Sequence, residues 1–169
     1  TVVYSLTGTG FTDSIPARVL DNISKATLYG ADINLEWNIT GQYVFWGSGS
    51  WVRGKNTKDK TNLSQIPPAS LSFGLRVTYA RRITPQISCT LTSKQDKISP
   101  DEKVTGGYAL YNCAVGYMPY CSEKISINLH AGINNIFDRA YRNHLSTVRG
   151  NWFYEPGRNM YLKLIFSFM

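Results

Sequence analysis

Residues 26–39 read ATLYGADINLEWNI and alternate without a break. The odd positions carry Tyr29, Ala31, Ile33, Leu35, Trp37 and Ile39, and the even ones Gly30, Asp32, Asn34, Glu36 and Asn38. Successive side chains of a strand point to opposite sides, so this segment has one apolar face and one polar face. A helix would scatter the same residues around its circumference. The division recurs in ASLSFGLRVTYA (69–80), where Leu71, Phe73, Leu75, Val77 and Tyr79 oppose Ser70, Ser72, Gly74, Arg76 and Thr78. In ISINLHAGIN (125–134), Ile125, Ile127, Leu129 and Ile133 oppose Ser126, Asn128, His130 and Asn134. The last segment sets Met160, Leu162, Leu164, Phe166 and Phe168 against Tyr161, Lys163, Ile165 and Ser167. Weaker strands are expected at about 42–53, 86–95 and 108–118, with a partial one at the extreme N-terminus. No amphipathic helix competes for these residues.

The connections alternate in length. Those at TGQ (40–42), RITPQ (82–86) and PYCSEK (119–124) are short, whereas 7–24, 54–68, 96–107 and 135–156 are long and carry Gly, Pro, Lys, Asn and Asp. All long loops therefore leave one end of an up-and-down meander, the pattern of an antiparallel transmembrane β-barrel of the outer membrane. The final strand then returns to the short-turn side, which places the C-terminus in the periplasm.

A soluble barrel would alternate too, with its apolar face inward. Three details favour the membrane version. The polar face carries Asp32, Asn34, Glu36 and Asn38, which suit a hydrated lumen. Trp37, Tyr43, Tyr79 and Tyr117 fall near the short turns, where an interfacial girdle sits. The last strand closes on Phe168.

Composition agrees. At 169 residues and 19.0 kDa the chain has the size of one domain, with 17% charged and 13% aromatic residues, against roughly 25% charged in an average soluble domain. No run approaches the ~20 apolar residues of a membrane-spanning helix. The net charge of +7 resides in predicted loops and forms no stripe, so solvated loop charge explains it better than nucleic acid does. Cys89, Cys113 and Cys121 lack metal-binding spacing and are odd in number, against both a zinc site and a disulfide scaffold. The chain starts TVVYSLTGTG, with no Met and no visible targeting signal, as expected of a processed chain or a piece of a longer one. Only His130 and His144 are present, and no triad or paired-carboxylate spacing points to an enzyme or a cofactor.

INLHAGINNIFDRAY and EPGRNMYLKLIFSF resemble the C-terminal end of a TonB-dependent outer-membrane receptor. The resemblance rests on Asn135, Ile136, Phe137, Asp138 and Tyr141 after the penultimate strand, then on Pro156, Gly157 and Arg158 before the last one. LYGADINLEW and IPPASLSFGLRVTY extend it over nearly all of 25–168. Met169, following the terminal aromatic Phe168, departs from the pattern.

The resemblance implies a barrel of about 22 strands around an N-terminal plug that meets TonB. The chain has room for about eight strands, so residues 1–169 would form the C-terminal portion of such a barrel, without the plug. Its partners would be outer-membrane lipid and lipopolysaccharide, the rest of the barrel and plug, TonB through the missing N-terminal region, and a small metal-containing ligand. The alternative is a self-contained eight-stranded barrel serving as an adhesin or structural protein.

The motif residues are expected to be structural. Asn134, Asn135 and Asp138 turn the backbone out of the sheet, Phe137 and Tyr141 anchor the rim, Gly157 permits an unusual dihedral, and Pro156 loses no ladder donor. For ligand binding, Tyr-x-x-His-Leu-Ser at Tyr141–Ser146 resembles a segment of receptors for metal ions and haem. His144, predicted in an outward loop, is the candidate metal or haem contact, with His130 on the lumen face as a second. Arg139, Arg142, Arg149 and Arg158, with Lys55, Lys58 and Lys60, would make the mouth electropositive and suit an anionic chelate or haem propionates.

Overall fold

The computed structural model describes residues 25–80, 82–121, 124–148 and 153–168. Seven strands form one antiparallel sheet in chain order: β1 (Ala26–Thr40), β2 (Tyr43–Asn56), β3 (Ser70–Val77), β4 (Ile83–Thr92), β5 (Tyr108–Cys121), β6 (Ile125–Asn134) and β7 (Asn159–Phe168). One short helix, α1 (His144–Val148), interrupts the last long loop. The partial N-terminal strand expected from the sequence lies outside the described residues.

Register converts the period of two into two continuous faces. Trp37, Phe45, Leu75, Ile87, Cys113, Ile133 and Met160 pair in turn across all seven strands. On the other face Asn34, Ser48, Ser72 and Thr90 pair across the first four strands. Hydroxyls meet there, Ser50 with Ser70 and Ser72 with Thr90, each pair at 3.0 Å. Arg76 faces Glu36 at 4.0 Å.

Burial shows that the apolar face has no partner layer. Among the described residues Cys89 is the only apolar side chain classed as buried, whereas Ile33, Leu162 and Phe168 are 67%, 73% and 79% exposed. Leaving one such side chain in water forfeits roughly 1.5–3 kcal/mol. A face of this extent therefore belongs against hydrocarbon. No helix is long and apolar enough to cross a membrane; strands do the spanning. Trp37, Tyr43, Tyr79 and Tyr117 are all exposed, as an aromatic girdle requires.

Two turns differ from the sequence reading. The β3–β4 connection is not RITPQ, since β4 already begins at Ile83 and Pro85 lies within it, opposite Val115. The chain instead reverses between Val77 and Ile83, with Ala80 at φ 47° and Tyr79 bridged to Ile83. Pro85 is tolerated because the regular β3 pairing of β4 reaches only to Gln86, leaving no ladder acceptor on that side to be satisfied. Likewise β5 runs on to Cys121, helped by an irregularity between Tyr117 and Tyr120. On the lumen face, Gly132 pairs with Tyr161, and a Cβ at Gly132 would lie 2.5 Å from the Tyr161 ring. The glycine leaves the space that the ring occupies.

Candidate functional site

Residues 57–69, 93–107 and 135–158 all leave the same end of the sheet. They are bonded to one another. Gln95 and Thr105 exchange backbone hydrogen bonds of 3.0 and 3.2 Å that pinch the second loop together. From that loop Gln95 Nε2 donates to the Ile66 carbonyl at 2.7 Å, and Asn62 of the first loop donates to the Ile98 carbonyl at 3.2 Å. Glu102 is the hub. One carboxylate oxygen accepts the Gln65 N–H at 2.6 Å, and the other accepts the Ser99 N–H at 3.0 Å.

The third loop inserts His144 into this cluster. Only 1% exposed, it is the largest fully buried side chain among the described residues. Its Nδ1 lies 3.1 Å from Thr105 Oγ1, and its Nε2 lies 3.8 Å from the Glu102 oxygen that accepts the Ser99 N–H. The second distance is beyond hydrogen-bond reach yet close enough for charge to act. Behind it, Ser146 donates to Glu155 at 2.8 Å, and the Glu155 N–H donates to the Tyr141 carbonyl at 2.9 Å. The Tyr141 ring lies 4.4 Å from that of Tyr108. Burial, then the neighbouring Tyr108 and Glu155, push the Tyr141 phenol above its ordinary value.

Burial also holds the His144 imidazole below its ordinary pKa of 6.5, with the Glu102 carboxylate opposing in part. As pH falls, the unfolded chain takes up this proton first. The stability that neutral His144 contributes is therefore complete above pH ~6.5 and is lost as pH falls through the lower folded value. Hydrogen exchange at residues 95–105 and 143–146 should accelerate on acidification below pH ~6.5. In His144→Asn, which can still bond Thr105 but cannot titrate, that dependence should flatten. An unchanged pH profile in the variant would remove the imidazole from the explanation.

The C-terminal motifs meet just beyond the ends of β6 and β7. Asn135 and Asp138 both take φ 53°, a left-handed conformation that Asn and Asp tolerate better than other side-chain-bearing residues. The Asn135 side chain, in a residue only 4% exposed, donates to the Arg139 carbonyl at 2.9 Å and accepts the Arg139 N–H at 2.8 Å. Its own N–H donates to Asn112 on β5 at 2.9 Å, and the Ile136 N–H to the Tyr111 carbonyl at 2.8 Å. This tight turn folds Phe137 back so that its ring meets Tyr111 edge-on, with centroids 5.2 Å apart. Asp138 then accepts the Arg158 N–H at 2.7 Å, one residue before β7 begins.

Gly157 acts differently from the expectation. Its φ lies outside the left-handed region, and a Cβ there would collide with Asp138 Oδ1. The glycine is needed for close approach, and the unusual dihedrals fall on Asn135 and Asp138. Pro156 lies outside the ladder, so its missing donor costs nothing.

The family described as TonB dependent receptor-like, beta-barrel matches residues 2–136. The chain belongs to this family. A curated relative, the heme/hemopexin utilization protein C of Haemophilus influenzae, is 26% identical over 149 residues, 87% of this chain and 20% of the relative. Among solved structures, one described as the copper transporter OprC superposes with a TM-score of 0.74 at 25% identity, covering 85% of this chain and 24% of that one. The ferric enterobactin receptor PfeA from Pseudomonas aeruginosa gives 0.63 at 18% identity over 85% of this chain and 22% of its own, a likeness of fold alone. The chain thus spans about a fifth of the length of the curated relatives it matches. A seven-stranded open sheet is what such a portion of a TonB-dependent receptor barrel provides.

Within this receptor sheet the three described ligand candidates, His144, Arg142 and His130, are not gathered into one pocket. His144 is in the loops as expected, but its ring is turned inward. Arg142 stacks over the Tyr154 ring at 4.0 Å. His130 stands on the polar face of β6 between Gly116 and Lys163, four residues before that strand ends at Asn134. Arg149 lies outside the described residues. No group of three or more His, Cys, Asp or Glu side chains placed to hold a metal occurs among the described residues. Glu102, Thr105 and Gln95, which organise the loops, carry no local sequence signal. The partners that tie them to the other loops are distant in sequence: Ile66 is 29 residues from Gln95, and His144 is 39 from Thr105 and 42 from Glu102.

Proposed function

We propose that these residues form the C-terminal part of an outer-membrane receptor that imports a metal ion, haem or a metal chelate with energy delivered by TonB. The observation that carries this reading is an inside-out sheet, apolar toward the surroundings and polar toward the lumen, in a chain of this family. The relatives' names give the cargo class its support: one is a haem utilization protein and another a copper transporter. Plug and TonB contacts would belong to the remainder of the receptor. In this arrangement the bonded long loops face outward and the end of β7 faces the periplasm.

The proposed ligand contacts are Arg142 in the outward loops, His130 beside Lys163 on the lumen wall, and Arg149, which lies outside the described residues. Burial gives His144 a positioning role, holding the loop that carries Arg142 against Glu102 and Thr105. A self-contained eight-stranded barrel is less well supported. It would require β7 to pair with a strand in residues 1–6, outside the described residues, and among the described strands β1 and β7 are the two open edges.

The test is uptake by the full-length receptor in a host deprived of its own importers, with haem, copper and a ferric chelate supplied separately. One of the three should be taken up only when TonB is present. Arg142→Ala should raise the half-saturating concentration about tenfold, the scale of one lost ~1.4 kcal/mol contact, with the amount of receptor in the membrane unchanged. A well-inserted receptor that imports none of the three would sink the cargo class.

A further inference from the structure

Glu102 sits where three loops meet and is none of the proposed ligand contacts. Its side chain is 4% exposed, so the carboxylate has left water and depends on the groups packed around it. Those groups come from different loops. The Gln65 N–H belongs to 57–69, the Ser99 N–H to the loop of Glu102 itself, and the His144 ring to 135–148. Gln65 presents its N–H from φ 60°, a conformation that a residue with a side chain keeps only where its surroundings enforce it.

Moving any one of these loops alone breaks contacts that the others complete. Lifting 57–69 takes the Gln65 N–H from a buried carboxylate, and with it go the bonds from Asn62 to the Ile98 carbonyl and from Gln95 to the Ile66 carbonyl. Lifting 135–148 draws His144 off Thr105 and Glu102. A buried carboxylate left short of donors costs more than an ordinary lost hydrogen bond. We propose that Glu102 is a positioning residue that keeps the three loops one rigid block throughout uptake, so that cargo meets a pre-formed wall carrying Arg142 and is admitted elsewhere on the rim. The purpose of the wall rests on the uptake reading above; its rigidity rests on the loop contacts alone. A wall ordered in advance binds more tightly, because the cargo does not have to order it.

Hydrogen exchange in the full-length receptor, in lipid vesicles and without cargo, tests the block by itself. Glu102→Gln keeps the side chain's length but has one acceptor oxygen where the carboxylate uses two, so one of the two N–H bonds is lost. Exchange should rise at least about tenfold at 62–66, 95–105 and 143–146 together. Acceleration confined to 99–102 overturns the block. Thr105→Val removes the hydroxyl that meets His144 Nδ1 without changing any charge. It should loosen the same three stretches, and it decides the matter should Glu102→Gln fail to fold. Uptake gives the second readout, with haem, cupric ion and a ferric trihydroxamate supplied separately. For the probe that is imported, the half-saturating concentration should rise about tenfold in both variants, with the maximal rate and the amount of receptor in the membrane unchanged. A lower maximal rate at unaltered half-saturation overturns the positioning role. In the parent, saturation with that probe should leave exchange in the three stretches within about twofold. Strong protection of one loop alone would mean that this loop closes over the cargo, which overturns the fixed wall. Import of none of the three probes overturns the cargo class and not the block, which the exchange experiment judges without cargo.

Discussion

Replacing Ile87 with Arg should lower the stability of the inserted barrel by about 2–4 kcal/mol, whereas Ser88→Arg, one residue along, should change it by less than about 1 kcal/mol. Ile87 is the fifth of ten residues in β4 and has neighbouring strands on both sides. Its side chain belongs to the apolar row between Leu75 and Cys113, at the depth where a lipid-facing guanidinium meets the full cost of desolvation. Ser88 pairs with Gly74 and Asn112 on the polar face, where water can solvate a charge. Urea unfolding of the full-length receptor in lipid vesicles measures both. The reverse order, with Ser88→Arg the costly change, would mean that the apolar face is interior and the barrel is of the soluble type.

The contact between Asp138 and the Gly157–Arg158 backbone should be the second most sensitive point. Asp138→Ala loses a charge-assisted bond to the Arg158 N–H, worth about 1 kcal/mol at this exposed position, and places a β-carbon residue at φ 53° without Asp's local compensation, roughly another 1 kcal/mol. Asp138→Asn keeps both the acceptor and the tolerance of that conformation and should stay within about 0.5 kcal/mol of the parent. Gly157→Val should cost about 1–2 kcal/mol, because its Cβ would drive the carboxylate off Arg158. The two losses share one contact, so Asp138→Ala combined with Gly157→Val should cost clearly less than the sum of the singles. Strict additivity in the same urea experiment would show that the two motifs do not act through each other. Since this contact fixes where the chain turns into β7, the receptor's yield of folded barrel should fall in the same order.

Much of the fold was legible because strand alternation is a local property. The identity of Ile33, Leu35, Phe73 and Leu129 as one face follows from parity alone, and register then joins them into rows. Turn positions were less legible. Pro85 reads as a turn residue, yet it lies within β4, since only the extent of pairing with β3 determines whether a missing N–H is felt. The role of Gly157 was misassigned for a similar reason. A glycine's sequence context does not distinguish a left-handed dihedral from a close approach, and the approaching atom comes from Asp138, nineteen positions earlier.

The loops mark the boundary of what the sequence determines. By itself it determined a single antiparallel sheet, its two faces, the end from which the long loops emerge and the family to which the chain belongs, because these depend on period, spacing and short motifs. Only the tertiary structure decided that the His144 ring turns inward onto Thr105 and Glu102, that Asn135 aims Phe137 over Tyr111, and that Glu102 accepts the Gln65 N–H from a separate loop. Each of those facts is set by atoms distant in the chain. A loop residue's exposure depends on which other loops fold over it, and no local pattern encodes that packing.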